Sequence, residues 1–209
     1  IEAIKIRLTG EISQYYDVYY RVHVKDLGWM SWACNDAKAG TEGFALRIEA
    51  IQICLVEKSK SAPGDTTRPF IELGKVEYSG HVQNIGWQNY VSNGATSGTT
   101  GRNLRLEAIK IKLGDNAFSG NIEYSTHVQD YGWLDYVSND AFSGTIGKSK
   151  RIEAIKIRLT GEISQYYDVF YRVHCQDIGW MGWTANDRMA GTTGGSYKIE
   201  AIQIKLYPK

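Results

Sequence analysis

The sequence predicts an all-β protein built from tandem repeats of about 46 residues, packed about a pseudo-threefold axis. A β-prism fits this pattern first and a β-trefoil second. Three observations carry the expectation. The four histidines all head one phrase: HVKDLGW from His23, HVQNIGW from His81, HVQDYGW from His127 and HCQDIGW from His174. Long segments alternate apolar and polar residues with a period of two. No stretch keeps a 3.6-residue period between helix caps.

The elements follow in order within each repeat. A strand leads into the histidine: in VYYRVHV, Tyr20, Val22 and Val24 oppose Arg21 and His23. Tryptophan comes six residues after each histidine, at Trp29, Trp87, Trp133 and Trp180. A second aromatic follows at Trp32, Tyr90, Tyr136 and Trp183, and an asparagine at Asn35, Asn93, Asn139 and Asn186. A Gly–Thr turn begins at Gly40, Gly98, Gly144 or Gly191. The repeat closes on a strand of the type IEAIKIRL, which contains Glu49, Glu107, Glu153 or Glu200. LTGE and LGDN, which join one repeat to the next, read as hairpin turns. One such unit cannot bury its apolar side alone, whereas three about an axis can.

The spacing between repeats predicts the domain organisation. Glu49 and His81 lie 32 residues apart, against 20 for Glu107 to His127 and 21 for Glu153 to His174. The excess is EKSKSAPGDTTRPF, with the composition of a linker or long loop. Residues 1–23 equal residues 152–174 except that Tyr19 becomes Phe170. The first full repeat therefore matches the last, not its neighbour. The economical division makes 1–57 the last strand of one repeat plus one full repeat of a preceding copy. Residues 58–70 are the linker, and 71–209 a complete three-repeat domain. A four-repeat domain with a looped insertion is the alternative. The opening residues read as an interior strand, which predicts that the chain starts inside a longer protein.

Composition narrows the partners. A net charge of +1 with interspersed signs offers no basic stripe for nucleic acid, and no apolar run suits membrane insertion. Cys34, Cys54 and Cys175 do not recur with the repeat, so neither a disulfide framework nor a metal site is expected, and no cofactor.

Among the recurring residues, Trp29, Trp87, Trp133 and Trp180 suit a structural role as core fillers once per repeat. Glu49, Glu107, Glu153 and Glu200 share the parity of the buried face. A carboxylate there needs a partner: an indole N–H, the imidazole, or the Gly–Thr turn. The second aromatics, Trp32, Tyr90, Tyr136 and Trp183, stand among polar residues and suit a rim that stacks on sugar; half-buried packing is the alternative. Asn35, Asn93, Asn139 and Asn186 suit either an Asx-type turn or hydrogen bonds to ligand hydroxyls. His23, His81, His127 and His174 lie on the polar side of their strands, between a junction hydrogen bond and a ligand contact. Four equivalent copies argue against an enzyme, whose site is normally built once.

The stretch YSTHVQDYGWLDYVSNDAFSGTIGKSKRIEAIKIRL resembles the clostridial hydrophobic repeat with its Gly–Trp dipeptide, the ChW repeat. The resemblance recurs four times and covers nearly all of the chain outside 58–70. It implies a secreted or surface-bound bacterial protein, mainly of Gram-positive anaerobes, acting in cell-surface attachment or polysaccharide binding. It carries no established ligand and no catalytic residues. The expected function is a non-catalytic, multivalent module for a polysaccharide, surface glycan or cell wall. A protein-interaction scaffold is the alternative, with a protein partner or an oligomer through residues 1–57. A hydrolase using His–Glu pairs is a distant third.

Overall fold

The computed structural model describes residues 1–116 and 118–209, about half of them in strands and the rest mostly in turns and irregular connections. The chain divides into two compact units, Ile1–Leu73 and Gly74–Lys209. The boundary falls just beyond the expected 70/71, because Phe70–Glu72 runs parallel to Ala39–Glu42 and so belongs to the first unit.

The second unit contains three repeats. Each pairs a long strand ending near the histidine with a long strand carrying the glutamate: Val76–Val82 with Leu106–Leu113, Asn121–Val128 with Ile152–Thr160, and Tyr167–Cys175 with Ile199–Pro208. The inward parity is apolar or aromatic, so Tyr78, Tyr124, Tyr171, Ile111, Ile157 and Ile204 share one buried core. The Gly–Thr segment is a short strand that leaves its own repeat. Ser143–Gly144 pairs with Leu106–Leu113, Ala190–Gly191 with Ile152–Thr160, and Ser97–Gly98 with Ile199–Pro208. The exchange runs cyclically through all three repeats. That closure fits the prism-like expectation, and it leaves no glutamate strand of this unit unpaired on that side.

Two groups make the closure specific. Gly98, Gly144 and Gly191 have φ of 108°, 120° and 105°. A Cβ on any of them would lie 2.3–2.4 Å from the carbonyl oxygen of Glu200, Glu107 or Glu153. Each core tyrosine crosses the same junction. The Tyr124 hydroxyl donates to the Ala141 carbonyl and accepts from the Ile111 N–H at 2.9 Å. Tyr171 and Tyr78 do the same toward Ile157 and Ile204, at 3.0 Å each.

The hairpin expectation is corrected. Ile152–Thr160 and Tyr167–Cys175, joined through LTGE, lie in different sheets. A one-turn helix, Ile163–Tyr166, makes the corner. Turn-forming residues mark a change of direction, and local chemistry does not decide which strand pairs across it.

The first unit holds one repeat, Tyr16–Val24 paired with Ile48–Glu57, and a leading strand, Ala3–Ile4, paired with Ala39–Glu42. Ala3 opposite Gly40 repeats the register of Ala154 opposite Gly191. The inward parity of Ile48–Glu57 is open here: Ile51, Ile53 and Leu55 are 44%, 55% and 48% exposed. The three counterparts of Ile53, namely Ile111, Ile157 and Ile204, are fully buried.

Candidate functional site

Each repeat carries the same surface arrangement beside its paired long strands. The Gly–Trp dipeptide turns back onto the histidine strand, so that His81 faces Trp87, His127 faces Trp133 and His174 faces Trp180. Imidazole and indole meet edge to face at 5.4–5.5 Å in all four repeats. The tryptophans were expected in the core and are instead at the surface: Trp29, Trp87 and Trp133 are 43%, 36% and 38% exposed. The core volume they were expected to fill is taken by Tyr20, Tyr78, Tyr124 and Tyr171.

The glutamate sits under the histidine. Strand register slips by one residue at Glu49, Glu107, Glu153 and Glu200, so each is the extra residue of a β-bulge. The bulge takes the carboxylate off the core face, which the simple alternation had assigned it, and turns it to the outer side. Glu107, Glu153 and Glu200 remain buried there. His81, His127 and His174 Nδ1 lie 3.3, 3.1 and 3.2 Å from the carboxylate, but off the hydrogen-bond direction. Arg105 and Arg151 approach the other carboxylate oxygen at 2.8 Å. The carboxylate is thus shared between imidazole and guanidinium in Glu107 and Glu153, with Lys198 at 4.0 Å in the arginine's place at Glu200. Among the described residues neither the indole nor the Gly–Thr turn bonds it.

The asparagines are spent on the fold. Asn93, Asn139 and Asn186 have φ of 40–47°, and their Oδ1 accepts from the N–H of Val76, Ile122 and Val169 at 3.0–3.2 Å. The Nδ2 of Asn139 and Asn186 donates to Asn121 and Asp168, and Asn35 repeats both bonds with Val18 and Asp17. Each Oδ1 bond reaches 17 residues back along the chain, so it ties the turn to the start of the histidine strand and is not the local bond of an Asx turn.

Tyr90, Tyr136 and Trp183 are exposed much as the first tryptophans are, and Trp32 is partly buried. Tyr90 and Tyr136 use their hydroxyls at repeat junctions, donating to Asp140 and Asp187. Burial and then the Asp187 carboxylate push Tyr136 up to about 12, and burial and Asp140 push Tyr90 up as well. In cyclic order the turn following Trp183 is Asn93–Gly94, with glycine in place of that aspartate. Tyrosine therefore stands where the next turn offers a carboxylate, and tryptophan where it does not.

Cations complete the row, and reading along single strands missed them. Lys110 lies 4.9 Å from the Trp87 ring centre, Lys156 4.7 Å from Trp133 and Arg172 4.9 Å from Trp180. Lys112, Arg158 and Lys205 lie 4.1–4.5 Å from Tyr90, Tyr136 and Trp183. Each repeat thus shows two half-exposed aromatic rings interleaved with cations. In the first unit, Arg21 lies 5.0 and 4.9 Å from Trp29 and Trp32. That cleft is bordered by Pro63, Gly64 and Asp65 of the 58–70 segment. The Trp32 backbone N–H donates to the Asp65 carbonyl at 2.8 Å.

Among the described residues no group of three His, Cys, Asp or Glu side chains is placed to hold a metal ion. Cys34, Cys54 and Cys175 are free thiols.

This fold and surface define a class: a tandem β-repeat module that presents one equivalent aromatic site per repeat. The Clostridial hydrophobic W family model matches residues 23–57, 81–115, 127–161 and 174–208, more than half of the chain. The chain belongs to the ChW repeat family. No curated protein and no solved structure matches it.

Proposed function

We propose that the chain is a non-catalytic, multivalent attachment module that holds an extracellular bacterial protein to a polysaccharide, surface glycan or cell wall. The observation that supports this reading is the recurrence, in four repeats, of a half-exposed tryptophan beside a second aromatic, which is exposed in three of them. An indole face is a natural stacking surface for the C–H face of a sugar ring, and a shallow site of this kind is weak alone. Repetition along one polymer raises overall binding by about 10²–10⁴ without a new contact. The histidines pack edge to face on their tryptophans, and the three His–Glu pairs of the second unit lie in three separate sheets.

A pull-down on insoluble cell-wall polysaccharide tests the reading. Replacing Trp87, Trp133 and Trp180 together by Ala is expected to abolish retention, while any single replacement lowers it only several-fold. Retention unchanged in the triple variant would overturn the site. One observation favours a scaffold instead: the Tyr90–Asp140 and Tyr136–Asp187 bonds commit the second aromatics to repeat junctions. On that reading the triple variant of the first tryptophans changes nothing.

A further inference from the structure

The cation beside the first tryptophan comes from a different strand in different repeats. In two repeats it stands on the histidine strand, as Arg21 and Arg172, and the residue opposite is Gln52 or Gln203. In the other two it stands on the glutamate strand, as Lys110 and Lys156, and the residue opposite is Ser79 or Ser125. Among the described residues every repeat has one such cation and none has two. The distances to the ring centres are nonetheless alike, 4.7–5.0 Å. Packing against an indole needs only a long side chain, which Gln or Met would supply. What the four repeats hold in common is the positive charge itself, at one distance from the indole.

These charges are also unneutralised. Lys112 and Arg158, beside the second aromatics, have Glu77 and Glu123 as ion-pair partners. Among the described residues no carboxylate lies within ion-pair distance of Arg21, Lys110, Lys156 or Arg172; the two arginines bond only neutral Gln52 and Gln203 through Nε. The first unit adds an independent observation. There the chain's own Asp65 borders the Arg21–Trp29–Trp32 cleft, held by Ser31 Oγ and the Trp32 backbone N–H. A loop of the chain thus already lies against one of the four sites, with its carboxylate bonded to Ser31 and Thr67 and beyond ion-pair distance of Arg21. Repeat four has the same Arg–Trp–Trp set in Arg172, Trp180 and Trp183.

We infer that the sites at Trp87, Trp133 and Trp180 take an anionic polysaccharide, with the sugar face on the indole and a carboxylate or phosphate on Lys110, Lys156 or Arg172. A charge-assisted contact beside a stacking surface gives such a site both hold and selectivity. The inference rests on the attachment reading and names the chemical class of its ligand.

The test measures binding of the full chain to polygalacturonate, phosphomannan and neutral dextran at low and high salt. At least tenfold tighter binding to an acidic polymer than to dextran is expected, with most of the difference lost at high salt. The first two polymers separate carboxylate from phosphate as the anion preferred. The variant Lys110→Gln, Lys156→Gln, Arg172→Gln is expected to lose at least tenfold on the acidic polymer, with its thermal unfolding unchanged. Moving the charge across the strands in one repeat, Ser79→Arg with Lys110→Gln, is expected to keep binding at the wild-type level. Neutralising the unrelated surface cations Lys5, Lys60 and Arg102 is expected to leave it unchanged. Dextran bound as tightly as the acidic polymers overturns the anion inference alone. An equal loss in the Lys5, Lys60, Arg102 variant, or none in the site variant, does so too. Failure to bind any polysaccharide overturns the attachment reading with it.

Discussion

Tyr124 shows how one residue serves two levels of the structure. Its ring fills the core and its hydroxyl ties two repeats, donating to the Ala141 carbonyl and accepting from the Ile111 N–H. Phenylalanine would keep the ring and leave that N–H and carbonyl short of a partner. Tyr124→Phe is therefore expected to cost about 1–3 kcal/mol, read from urea unfolding. Burial pushes Tyr78 and Tyr124 up to about 12 and Tyr171 up as well, from an ordinary value of 10. A tyrosine that ionises more readily unfolded than folded stabilises the fold below pH 10. That contribution is lost as pH rises through about 10 to 12. Urea midpoints should hold level up to about pH 10 and fall above it, with a smaller fall in Tyr124→Phe.

At the scale of the element, the Gly–Thr strand and the bulged glutamate strand form the recurring joint. Gly144 has φ of 120° and no room for a Cβ against the Glu107 carbonyl oxygen. Gly132, in the Gly–Trp dipeptide, also has positive φ, at 73°, but nothing lies within 4 Å of the place a Cβ would take. Gly132→Ala is expected to cost about 1–2 kcal/mol, the conformational penalty alone. Gly144→Ala adds a backbone clash and belongs with the exceptional losses of about 4 kcal/mol or more. Thermal unfolding of the two variants side by side checks the contrast. The bulge has a separate consequence: it turns Glu153 toward His127 and Arg151, where it supports the imidazole that packs on Trp133.

At the scale of the molecule, the same strand sequence meets two environments. IEAIKIRL and LEAIKIKL in the second unit bury their isoleucines in the shared core, whereas IEAIQICL in the first unit leaves Ile51, Ile53 and Leu55 exposed. Ile111→Lys is expected to destabilise by about 4–5 kcal/mol, since it places an unpaired charge in a closed core. Ile53→Lys, at the equivalent position, is expected to stay within about 0.5 kcal/mol of the parent. Denaturant titration of both variants tests whether environment or strand sequence sets the cost.

The repeat, its all-β character and the order His, Trp, aromatic, Asn, Gly–Thr, Glu were legible from spacing and alternation, because each concerns neighbours along one strand. The second aromatic stayed open between a rim and half-buried packing, because its junction bond is made to a turn of another repeat. The bulge at Glu153 was not legible, because a slip in register is made by two strands together and leaves the one-strand alternation looking intact. The surface position of Trp133 followed from that folding-back, and the core place it was assigned went to Tyr124. The cation under each tryptophan was hidden for a related reason. Ser79 with Lys110 and Arg172 with Gln203 become one pattern only once the residues facing across the strands are known. Sequence by itself determined the repeating unit and the face each residue takes on its own strand. Tertiary structure alone decided which strands meet, where the glutamate turns and where the charge gathers, because those depend on pairing between residues far apart in the chain.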